Sequence, residues 1–214
     1  MTIEHHSTEL LLAYATGAAT SAEALVVACH LTLCGECRER IIELEALGGA
    51  FLESSPADTV SDALLSDVLA RLDDPEPDPS PAPRTDPSGI LPAALCDLVG
   101  PFADLSFQTI FPGVGQAVVP METDGMPVRL FKLAAGTRVP DHRHEGLETT
   151  LVLTGGFTDD GGHYGRGDLC LRDDQHIHRQ RIDPGEPCVV LTLADNPLVP
   201  LTLRGRVASW LRKV

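Results

Sequence analysis

PEPDPSPAPRTDPSG, residues 75–89, decides the architecture. Six prolines fall within it, and almost nothing between them is apolar. Proline fixes φ and removes a hydrogen-bond donor, so the run forms neither helix nor strand and reads as a semi-rigid spacer. Charge changes across it. Residues 1–74 carry 3 basic and 13 acidic residues, a net −10; the spacer carries 1 and 3, or −2; residues 90–214 carry 12 and 15, or −3. The pattern predicts an α + β two-domain protein, a small helical bundle at 1–74 joined to an antiparallel β-barrel at 90–214.

The chain is 214 residues long and 43% hydrophobic, which is ample for a buried core. Its net charge of −15 argues against direct DNA binding, which needs clustered Lys and Arg. It argues equally against adsorption on an anionic membrane. No segment offers the roughly 20 uninterrupted apolar residues of a membrane span, and MTIEHHSTEL at the start lacks the pattern of a secretory signal. Six cysteines are too few for a disulfide scaffold, and a cytoplasmic location is expected.

Before the spacer, helical signals dominate. Ser7 can cap a helix carrying Leu10, Leu11, Leu12 and Tyr14, with Gly17 near its end; Ser21 can cap a second with Leu25, Val26 and Leu33 on its apolar side. A third is expected from about Cys37 to the Gly48-Gly49 pair. Ser61 can start a fourth, whose Leu64, Leu65, Val68, Leu69 and Leu72 form one stripe at helical spacing. That stripe fits a fold-back onto the bundle or a face for a partner. Units below about 80 residues usually need a staple such as a metal. After Gly89, runs such as VRLFKLAA, TTLVLTGGF and CVVLTLA alternate with turns, the texture of a barrel or sandwich.

His30, Cys34 and Cys37 meet where the second and third helices join. On an unbroken helix the rise from 30 to 37 would be about 10.5 Å, too long for one ion with bonds of about 2.0–2.3 Å. Gly35 is therefore the expected break, letting the thiolates turn back toward His30. A fourth ligand can come from the His5-His6 pair, giving a closed His2Cys2 zinc site. In the second part, His142 and His144 lie two apart and so face one side of a strand, with Glu148 on the same parity. His178 is well placed to join them from another strand.

The run His5, Ser7, Glu9-Leu10-Leu11-Leu12-Ala13-Tyr14, Gly17, then His30, Cys34, Cys37-Arg38, resembles the zinc-binding anti-sigma domain of the ChrR type over about residues 1–74. The resemblance implies helices that bind and occlude an extracytoplasmic-function-type sigma factor, blocking its access to RNA polymerase. Counting back from Tyr14 at the family's spacing selects His5 as the fourth zinc ligand. Sigma factors present basic surfaces, which the −10 segment complements.

Gly136-x5-His142-x-His144-x3-Glu148-x6-Gly155 resembles the first motif of the cupin barrel in every spacing. The second motif is matched at Gly167 and His178, while Asp173, Gln175 and Ile182 depart from its usual Pro, Gly and Asn. The resemblance implies His142, His144, Glu148 and His178 as ligands of a second metal, zinc by likeness to the ChrR type. It also implies a sensor role for the barrel, with release of the sigma factor under oxidative stress such as singlet oxygen. Two rival readings remain on the sequence alone: a cupin metalloenzyme with a helical zinc module, and a thiol switch at Cys34 and Cys37. A homodimer through the barrel is left open.

Overall fold

Helix ends follow local hydrogen-bonding chemistry in the computed structural model, which describes residues 5–72, 74, 84–123, 126–143, 146–174, 179–194 and 199–200. Most of the proline-rich spacer and the tail beyond residue 200 lie outside them. Helix α1 (Thr8–Ala15) begins as expected, with Ser7 Oγ accepting from the Leu10 N–H at 3.2 Å. Helix α2 (Ser21–Leu33) is capped by Thr20 rather than Ser21. Thr20 accepts from the Glu23 N–H at 3.3 Å and the Glu23 carboxylate accepts from the Thr20 N–H at 2.9 Å, so two orphan donors are satisfied together.

The break between α2 and α3 (Gly35–Ser54) falls on Cys34 rather than Gly35. Cys34 is extended, and its Sγ accepts from the Cys37 N–H at 3.4 Å in the manner of an N-cap. The expected stop at Gly48-Gly49 does not occur; α3 runs through both. Each glycine costs about 1 kcal/mol in a helix, but neither adopts the positive φ that ends one. Helix α4 (Asp62–Ala70) starts after Ser61, has no buried residue, and leaves its apolar stripe exposed.

A short helix, α5 (Ala93–Val99), opens the second part; its seven residues escape a periodicity reading. Among the described residues eleven strands follow: β1 (Gln108–Phe111), β2 (Val114–Val118), β3 (Val128–Leu133), β4 (His142–Arg143), β5 (Glu148–Thr154), β6 (Gly156–Asp159), β7 (Gly162–Gly165), β8 (Leu169–Arg172), β9 (Arg181–Ile182), β10 (Cys188–Ala194) and β11 (Val199–Pro200). All their pairings are antiparallel. One sheet has the order β1-β2-β3-β10-β5-β8, a second β7-β6-β9, and β4 pairs β11. Gly155 makes the corner between the two larger sheets. Its φ is +69°, and a Cβ there would lie 2.7 Å from the Pro187 carbonyl oxygen.

Between the sheets, Val152, Val190 and Leu133 meet Phe157, Tyr164 and Ile182 in one core. The outer face of the six-stranded sheet presents Leu151, Leu153, Leu169 and Leu191, which pack against Leu95 and Cys96 of α5. Ala22, Leu25, Val26 and Cys29 of α2 join that same core. The spacing 22, 25, 26, 29 traces one helix face, so α2 is docked on the barrel sheet. Among the described residues, the helical unit keeps a small cluster of its own, Leu11, Val27, Cys37 and Ile41. Among the described residues, no helix is long and apolar enough to cross a membrane.

Candidate metal centres

Because Cys34 is both the end of α2 and the cap of α3, its thiol turns back over the first turn of α3, where Cys37 projects. His30 reaches the same point from the last turn of α2, and His5 from the segment before α1. The ligand atoms of His5, His30, Cys34 and Cys37 all lie within 4.8 Å of one another. His30 Nε2 is 3.3 Å from Cys37 Sγ, and His5 Nδ1 is 3.5 Å from both sulfurs. A tetrahedral zinc with bonds of about 2.0–2.3 Å has ligand–ligand edges of about 3.5 Å, so this donor set fits that ion.

Sequence reasoning missed the group that orients His5. Its Nε2 lies 3.1 Å from the Glu36 carboxylate, and Arg40 holds that carboxylate at 2.6 Å. A carboxylate behind a histidine fixes the tautomer that leaves Nδ1 to bind metal. The clue was present, since Glu36 lies between the two cysteines. His6 is also buried, but it packs edge-on against His30 at 4.9 Å and is not in the convergent set. Burial, then the neighbouring His30 and His5, hold its pKa down to about 3.

Burial favours the neutral forms of His30 and Cys37. Burial, then His5, bring His30 down to about 4, against the Gly167 carbonyl and the Asp168 carboxylate, which favour its charged form. Burial and Cys34 push the Cys37 thiol up to about 11. An ion held there would have to displace the Cys37 thiol proton, so its affinity would depend on pH.

In the barrel, His142 and Glu148 are both buried. His142 Nδ1 lies 2.9 Å from the Pro140 carbonyl, a contact that assigns the proton to Nδ1 and would make Nε2 the atom to meet any metal held there. Glu148 opens β5, opposite Arg172 of β8 and Ala194 of β10. His144 and His178 lie outside the described residues.

A buried polar network beside Glu148 was not anticipated. The Arg172 guanidinium donates to Asp159 at 2.7 and 2.9 Å and to the Tyr164 hydroxyl at 2.9 Å. Burial opposes its charge, but the hydrogen bonds with Tyr164 and Asp159 and the nearby Cys170 outweigh it and raise its pKa. Its signal in the sequence was an arginine sharing the inward parity of Cys170 in the run Leu169-Cys170-Leu171-Arg172. His163 pairs with Asp183 at 2.7 Å, while Cys29, Cys96, Cys170 and Cys188 are buried thiols.

Known proteins resemble both halves of this arrangement. Residues 96–196 match the family model of the ChrR cupin-like domain. The chain is similar to the anti-sigma-E factor ChrR of Cereibacter sphaeroides, 42% identical over 200 residues that make up 92% of each protein. It also resembles a chain in the crystal structure of Rhodobacter sphaeroides SigE in complex with the anti-sigma ChrR. That match has a TM-score of 0.73 and 39% identity, and covers 91% of this chain and 100% of that one.

Proposed function

The chain belongs to the ChrR family of anti-sigma factors, and on that footing we propose that it sequesters an extracytoplasmic-function-type sigma factor and keeps it from RNA polymerase. The observation that carries this reading is the apolar surface left open on α3 and α4. Leu64, Leu65, Val68 and Leu69 of α4 are exposed, as are Ile42, Leu47, Phe51 and Leu52 of α3. A monomer rarely leaves this much aliphatic surface in water. The segment's net charge of −10 supplies the long-range attraction for a basic partner.

In this reading His5, His30, Cys34 and Cys37 would hold zinc, which would tie together the segment before α1, the end of α2 and the start of α3. His5 is oriented by Glu36, and Cys34 doubles as the cap that turns the chain. His142, His144, Glu148 and His178 hold a second metal in the barrel, which serves as the sensor. Oxidative stress, with singlet oxygen as one signal, frees the sigma factor; imidazole and thiolate are side chains such species modify, and a lost ligand weakens a metal-tied fold.

The test uses the full zinc-loaded chain as bait in host lysate, beside a Cys34→Ala, Cys37→Ala variant. Recovery of a sigma factor by the native bait alone supports the reading. Equal recovery by both baits removes the zinc dependence, and recovery of none by a correctly folded, zinc-loaded bait refutes sequestration.

A further inference from the structure

His30 Nε2 faces the sulfurs, which leaves Nδ1 on the far side of the ring, fully buried and without a hydrogen bond. A ligating histidine donates that second N–H to a carbonyl or carboxylate in nearly every metal site. Burial excludes bulk water from the position. The helical unit supplies one neighbour, His6, edge-on against the ring at 4.9 Å. The barrel supplies the turn Gly165–Asp168, which lies against the end of α2 at Leu33 and whose Gly167 carbonyl and Asp168 carboxylate favour the charged imidazole.

The turn is fixed in place from the barrel side. The Gly167 N–H donates to the Val152 carbonyl at 2.9 Å, and the Val152 N–H donates to the Asp168 carbonyl at 3.1 Å. Arg166 reaches out of it to the carbonyls of Leu153 at 3.0 Å and Gly89 at 2.9 Å. Only a residue without a side chain suits its apex. Gly167 has φ +92°, and a Cβ there would sit 3.4 Å from Leu33 Cβ, so the turn already lies in contact with the end of α2. The α2 stripe of Ala22, Leu25, Val26 and Cys29 delivers His30 to this point.

We propose that the barrel completes the metal centre of the helical unit: the Gly167 carbonyl accepts the Nδ1–H of His30 once Nε2 binds the ion. This rests on the reading of zinc at the His2Cys2 cluster. It makes Gly167 a positioning residue, acting on zinc only through His30. It also gives the two parts of the chain a physical connection, because the turn is hydrogen-bonded to β5, the strand that opens with Glu148. Any change in the barrel that shifts this turn removes the acceptor and loosens His30.

The experiment takes full-length protein loaded with zinc and labelled with nitrogen-15. Zinc content is measured first, and then the His30 imidazole is observed by long-range proton–nitrogen correlation. The expected result is one equivalent of zinc at the cluster, Nε2 ligation, and a slowly exchanging Nδ1–H with cross-relaxation to Gly167 and Asp168. A second arm follows zinc transfer to a chromophoric chelator. Ala22→Glu, which drives a charge into the docking face away from every ligand, should speed zinc loss by about tenfold or more, and Ser66→Glu should not. Zinc bound with Nδ1–H exchanging as in a free imidazole, or bound through Nδ1, overturns the inference and leaves the zinc reading standing. Absence of zinc from the cluster overturns the zinc reading itself. Should Ala22→Glu fail to fold, the measurement on the unaltered chain decides alone.

Discussion

Replacing Leu65 and Leu69 with Asp tests whether α4 is the docking face. Leu65 is 67% exposed and Leu69 54% exposed, so the pair presents about 1.2 side chains of aliphatic surface to solvent. Complete burial of one leucine contributes about 1.5–3 kcal/mol. The double variant should therefore lose about 2–4 kcal/mol of binding, a weakening of roughly 30-fold to several hundredfold. Desolvating the new carboxylates adds to the loss. Folding should be nearly untouched, since α4 buries no residue and the propensity cost of Asp in a helix is below about 1 kcal/mol each. Titration calorimetry against the captured sigma factor reads the affinity, while zinc content and circular dichroism verify the fold. Ser66→Asp, which adds charge to the same helix without removing leucine, should weaken binding far less. Affinity unchanged within twofold for L65D/L69D would refute the assignment of this face.

Three further outcomes are expected. Cys34→Ser with Cys37→Ser should abolish the equivalent of zinc at the cluster and strip hydrogen-exchange protection from α1 and α3, while β5 and β10, which have their own core, stay protected. Arg172→Met should cost about 3–5 kcal/mol in chemical denaturation by leaving Asp159 buried without its guanidinium, and Asp159→Leu added to it should recover part of the loss. Burial, opposed at Cys29 by the Leu95 backbone, raises the Cys29 and Cys188 thiols from 9.0 to about 12, the latter with help from Asp183 and Glu186. The unfolded chain ionises first, so the stability they contribute is complete below pH 9 and falls between 9 and 12, by about 1.4 kcal/mol per pH unit per thiol. Melting temperatures across that range should decline less steeply in Cys29→Ala, Cys188→Ala protein.

Local chemistry was legible in the sequence wherever one residue decides the outcome alone. Ser7 caps the helix it was expected to start, Ser61 precedes its helix without a side-chain cap bond, and the alternating strands after Gly89 form the antiparallel sheets. The two-glycine stop failed because glycine ends a helix only when the chain takes up a left-handed turn, and Gly48 and Gly49 stay helical. The convergence of His30, Cys34 and Cys37 was traceable from their spacing, and His5 from the family's register rather than from its own residues. The cluster's support Glu36 was not, since it acts on a residue 31 positions away, and neither was the separate barrel network, in which Arg172 acts on a residue 13 positions away. The docking of α2 was hidden for a related reason: a 3.6-residue stripe says which face is buried and nothing about what buries it.

That docking changes the energetic account of the helical unit. Four buried side chains of its own are a slight core for three helices, and α4 contributes nothing to it. What organises the unit must come from outside that core: the barrel sheet under α2, the ion that the histidines and thiols would hold, and the partner that would cover α3 and α4. Each ligand of this kind stabilises the same folded arrangement, so each must strengthen the binding of the others. The coupling is reciprocal. If zinc loss weakens the hold on a sigma factor, a bound sigma factor must tighten zinc binding by the same free energy. A shift in the barrel turn beneath His30 would act on both at once, and so would reach the exposed surface of α3 and α4 without touching it.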